Sequence, residues 1–62
     1  MTIDNFEKRL DEFSKGMYTG LPVSFFSDRI AWLWKFKKIS NAKFIEMLNK
    51  FDDGLQYNKY ID

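Results

Sequence analysis

Carboxylates and cations are the charged side chains this chain offers for chemistry, and its 62 residues include no Cys and no His. Those two missing types are the ones most used for nucleophilic attack and proton transfer near neutral pH. They are also the usual zinc ligands. Two adjacent carboxylate pairs are present, Asp11-Glu12 and Asp52-Asp53. Neighbours on a helix point in different directions, so neither pair converges on a shared proton, and solvated charge accounts for both. Glu7 and Asp11, one helical turn apart, could share a cation. Two carboxylates alone make a weak ligand set, so no metal site is expected. Gly16 and Gly20 fit no phosphate-cradling motif and read as turn residues. The expectation is a protein that is not an enzyme and uses no cofactor.

The informative stretch is residues 29–38, Arg-Ile-Ala-Trp-Leu-Trp-Lys-Phe-Lys-Lys, which sets both tryptophans and four cations on one segment. On a helical wheel Phe26, Ile30, Leu33 and Trp34 form one stripe, with Phe25, Trp32 and Phe36 forming a second beside it. Together they span about 200°, against an arc of roughly 100° that suffices for a one-sided helix. Such a helix is either central or waiting for a partner. Phe25, Trp32 and Phe36 fall within about 40°, with Arg29 beside them. Trp and Arg are enriched where binding energy concentrates, and a guanidinium one turn before an indole can stack on it. Phe25, Arg29, Trp32 and Phe36 are therefore the candidate partner-binding residues. The competing reading packs the stripe against the first helix as core.

Three elements would position this stripe, in an all-α, three-helix domain with helices over about 3–16, 22–38 and 41–53. In the first, Ile3, Phe6, Leu10, Phe13 and Met17 alternate spacings of three and four, with Thr2 as cap and Gly16 as stop. Pro22 or Ser24 opens the second helix, the central aromatic one. Ser40 or Asn41 caps the third, which carries Phe44, Ile45, Met47, Leu48 and Phe51 on one side and ends at Gly54. Leu55, Tyr57 and Tyr60 can dock the tail or fray with it. Phe6, Leu10, Phe13, Ile30, Leu33, Leu48 and Phe51 are the expected core. The hairpin from Ile30 to Phe51, turning at Ile39-Ser40, resembles short helical-hairpin interaction modules of the SHOCT kind, although the Gly usual before that turn is missing.

A chain this short forms a single domain, residues 1–62, near the lower limit for folding alone. Without disulfides or zinc it depends on aromatic packing, for which its 19% aromatic content is suited, or on self-association as a homodimer. The net charge of +1 is uneven: residues 1–20 sum to −1, 21–50 to +4 and 51–62 to −2. No run of about 18 apolar residues exists, and the opening residues lack a basic-then-apolar signal pattern, so a cytoplasmic protein is expected.

A protein partner is the first expectation: a small regulator or inhibitor that covers another protein's functional surface. Compact phage or mobile-element regulators of similar size are an analogy only. The alternative is a small helix-turn-helix-like DNA-binding regulator, with the third helix in the groove and Asn41, Lys43, Glu46, Asn49 and Lys50 outward. Two cations beside a Glu make a poor phosphate footprint, and Lys35, Lys37 and Lys38 already complement a helix C-terminus. Nucleic acid therefore ranks behind a protein partner. A membrane surface ranks behind both, because cations interrupt both sides of the aromatic arc.

Overall fold

The structure, a computed structural model, describes residues 1–58. It is all-α: α1 (Ile3–Ser14), α2 (Val23–Lys35) and α3 (Asn41–Asn58), with no strand among the described residues. Each start has a local cause. The Asn5 N–H donates to Thr2 Oγ1 at 3.1 Å, and the Lys43 N–H to Ser40 Oγ at 3.1 Å. Pro22 stands at the start of α2 with no side-chain cap, its ring presetting the extended entry.

Both α1 and α2 end in a Schellman motif. In α1 the Gly16 N–H donates to Phe13 O at 3.1 Å and the Met17 N–H to Glu12 O at 3.0 Å, with Gly16 at φ 78°. In α2 the Lys37 N–H donates to Trp34 O at 3.0 Å and the Lys38 N–H to Leu33 O at 2.8 Å. Here the left-handed position is filled by Lys37, at φ 57°. That turn stops α2 at Lys35, short of the expected Lys38, and leads to Ile39, which packs on the core. Met17 lies beyond the end of α1 and is exposed rather than part of its seam.

The core consists of Phe6, Leu10 and Phe13 from α1, Phe26, Ile30 and Leu33 from α2, and Met47 from α3. Phe26 is its hub. It stacks on Phe13 at 4.6 Å between ring centroids and meets Phe6 at 6.0 Å. Phe13 in turn stacks on Phe51 at 5.7 Å. Phe51 is partly buried, flanking the core rather than sealed in it.

Two expectations about α3 are corrected. The helix does not stop at Gly54 but runs through it to Asn58. Gly54 is a contact residue: a Cβ there would strike the Phe13 ring and stand 2.8 Å from Phe13 O. The missing side chain lets α3 approach the end of α1, and the packing gained outweighs a cost of about 1 kcal/mol for Gly inside a helix. The inward face also differs, since Leu48 is 38% exposed and Ile45 57%, whereas Met47 is sealed. The five apolar residues expected on one side span about 160°, wider than one groove can cover, and the core takes the half nearest α1. Leu55 packs on the core and Tyr57 lies over Gly16, while Tyr60 falls outside the described residues.

Candidate functional site

The second stripe of α2 reaches the surface. Trp32 is 41% exposed and Phe36 54%, and their rings touch with centroids 4.9 Å apart. The stripe lies about a quarter turn from the α2 residues that fill the core, so it flanks the helix packing instead of entering it. Arg29 stands with its guanidinium carbon 4.9 Å from the Trp32 ring centroid, in cation–π range. Its Nη2 donates to the Met1 carbonyl at 3.2 Å, tying the cation to the start of the chain. The Arg29 Nε is buried and has no hydrogen-bond partner among the described residues. Phe25, Asp28, Arg29 and Trp32 line a shallow hollow of about 260 Å³.

The four candidate residues thus come together, but not as equals. Phe25 turns half into the protein, meeting Phe6 at 6.1 Å and Phe26 at 5.7 Å, edge to face in both cases. It forms the floor, while Trp32 and Phe36 form the exposed part. Phe36 is already the residue after the last turn of α2, held there by the donation of its N–H to Trp32 O at 3.0 Å.

Trp34 was expected beside Phe26, Ile30 and Leu33 and instead lies 46% exposed on the opposite flank of α2. It stacks on Phe44 at 4.7 Å and donates from Nε1 to Asn41 Oδ1 at 2.9 Å. An indole carries a polar N–H, and this site satisfies it at the edge of the core. Trp34, Lys35, Lys37, Ile39 and Asn41 line a second hollow, of about 390 Å³. The only sequence signal for it is the polar Asn41 one short turn after an indole.

The charges divide the molecule. Lys43 reaches Glu7 at 3.1 Å and Glu46 at 3.5 Å, and Asp11 receives Lys15 at 3.0 Å and Lys50 at 3.7 Å. Glu7 and Asp11, considered above as a metal pair, are thus each engaged by ammonium groups. Among the described residues no group of three or more carboxylates converges on a metal position. The two cations of α3 that a DNA-reading helix would use are drawn onto carboxylates. Lys35, Lys37 and Lys38 form no ion pair among the described residues. No described helix is long and apolar enough to cross a membrane.

No protein-family model matches this chain, and no curated protein or solved structure matches it. The hairpin's resemblance to SHOCT-type modules therefore carries no family assignment.

Proposed function

We propose that this chain is a small protein–protein interaction module, a regulator or inhibitor that works by covering a partner protein's functional surface and not by catalysis. The supporting observation is the exposed Trp32–Phe36 pair with Arg29 stacked on it, on a domain whose core closes without them. Aromatic and Arg side chains held in place before binding lose little freedom on docking, the condition under which a few residues supply most of the affinity. Phe25 supplies the floor against which a partner's apolar side chain would rest.

Affinity capture from the source cells with the wild-type chain and with Trp32→Ala and Arg29→Ala variants tests this reading. A protein retained by the wild type and lost by both variants, with helicity unchanged, is the expected outcome. Each substitution should weaken the purified complex by about 2 kcal/mol or more. Identical retention by all three chains would refute it. Retention of nucleic acid that falls steeply with salt would favour the DNA-binding alternative.

A further inference from the structure

The outer face of α3 carries a second exposed stripe, two apolar residues between two polar ones, separate from the Trp32 stripe and palindromic in its spacing. Asn41, Ile45, Leu48 and Asp52 follow one another at intervals of four, three and four residues. At about 100° per residue they fall within about 60° of each other. All four are exposed, with Ile45 and Leu48 among the large apolar side chains that the core leaves out. The stripe is acidic at one end through Asp52, which forms no ion pair among the described residues. At its other end Asn41 shares the 390 Å³ hollow with Trp34, Lys35 and Lys37.

We infer that this face binds a second copy of the chain, with the two α3 helices antiparallel about a two-fold axis. A two-fold contact must be self-complementary, each residue meeting a different residue of the other copy. Placing the axis midway between Ile45 and Leu48 sets Ile45 against the partner's Leu48 and Asn41 against the partner's Asp52. The partner's carboxylate then arrives at the hollow where Lys35 and Lys37 stand without a counter-ion. The charge contact is made twice, once at each end of the seam. Alternating intervals of three and four are also the pattern by which two helices interlock along a seam. The contact is small, so the dimer is a weak one, at the low end of specific interfaces.

Sedimentation equilibrium of the full chain from about 10 μM to about 1 mM covers the range for so small an interface. The mass should rise from 7.5 kDa toward twice that value. Leu48→Asp, at an exposed position, should keep the helical spectrum and weaken association by at least tenfold. Asp52→Lys alone and Lys35→Glu with Lys37→Glu alone should each remain monomeric, while an equimolar mixture of the two should associate, because both charge contacts are restored in the mixed pair. A wild type monomeric throughout would overturn the inference. So would an unchanged Leu48→Asp dimer, a mixture that stays monomeric, or association lost through Trp32→Ala instead. This face and the Trp32 stripe are separate, so a wild type that stays monomeric leaves the Trp32 proposal standing.

Discussion

The joint between α1 and α3 and the outer side of α2 are both made of aromatic rings, finished in opposite ways. At the joint, Phe13 lies between Phe26 and Phe51, a glycine admits the ring, and ion pairs from Lys43 to Glu7 and Lys50 to Asp11 run alongside. On α2, Trp32 and Phe36 touch at a tilt of 41° with about half their surface in solvent, and the lysines beyond them form no ion pair among the described residues. Ring content therefore does not distinguish the buried side from the exposed one. What distinguishes them is whether the backbone opposite has been cut back to receive the ring. Gly54 does this for Phe13, and nothing comparable faces Trp32 among the described residues.

The largest effects should come from opening the joint. Phe13→Ala removes a ring buried between two others and should cost about 3–5 kcal/mol, enough to unfold much of a chain this small near room temperature. Gly54→Ala should cost about 1–3 kcal/mol by overpacking, despite alanine's better helix propensity, because the new Cβ overlaps the Phe13 ring, which Phe26 and Phe51 hold in place. Combining the two should cost less than the sum, since the vacated ring position receives the new methyl. Urea melts of the four chains measure the cycle. Strict additivity would place the cost on the Phe13 carbonyl oxygen, which Phe13→Ala keeps, and not on the ring. On the open side, Trp32→Ala should change stability by only about 1 kcal/mol or less. A loss as large as that from Phe13→Ala would assign Trp32 to the core.

A smaller effect separates the ends of the two helices. Lys37 and Gly16 occupy the same left-handed position of the same motif, but only Lys37 carries a Cβ there. Lys37→Gly should therefore stabilise the protein by about 0.5–1 kcal/mol, the strain relieved less the added freedom of the unfolded chain. Gly16→Ala should do the reverse, because it adds strain and sets a Cβ 2.9 Å from the Tyr57 ring. Thermal melts decide both, and a destabilised Lys37→Gly would show that the lysine side chain holds the turn.

The helices and most of the core were legible because they rest on periodicity. Phe6, Leu10 and Phe13 share a narrow stripe of α1, and a narrow stripe has only one way to be buried. On α2 the wheel gave Ile30 and Leu33 as core, but Phe26, on the same stripe and outside the expected core, proves to be its hub, and Trp34, also on that stripe, stays exposed. On α3 the apolar arc was too wide, and the wheel could not choose between Met47 and Leu48, which only the position of α1 settles. Gly54 misled for a related reason: glycine marks a helix end and a close helix contact equally well, and the contact partner lies 41 positions earlier in the sequence. The Trp32 stripe was legible as surplus apolar surface. Trp34 was not, because its exposure follows from the hydrogen bond to Asn41 across a turn whose geometry Lys37 sets.

The finest test of the joint is its response to pH. Asp11, on the flank of the joint, titrates below its ordinary value of 3.8, foremost because Lys15 hydrogen-bonds its carboxylate. Partial desolvation opposes this, and the charges of Lys15 and Lys50 add to it. Lys43 titrates above its ordinary value of 10.5, first through its hydrogen bond to Glu7 and then through that carboxylate's charge. A lowered carboxylate stabilises the fold above its unfolded value and loses that contribution as pH falls through the folded one. A raised ammonium stabilises below 10.5 and loses its contribution as pH climbs through the folded value. The polar flank of the joint should therefore hold between about pH 4 and about pH 10 and weaken on either side, more faintly in high salt because both pairs are solvated. Melting wild type and Asp11→Asn side by side from pH 7 down to about pH 2.5 isolates the acid limb. The wild type should melt higher at neutral pH, and the two curves should converge below about pH 4. A gap that persists unchanged into acid would mean that Asp11 contributes through helix geometry and not through its charge.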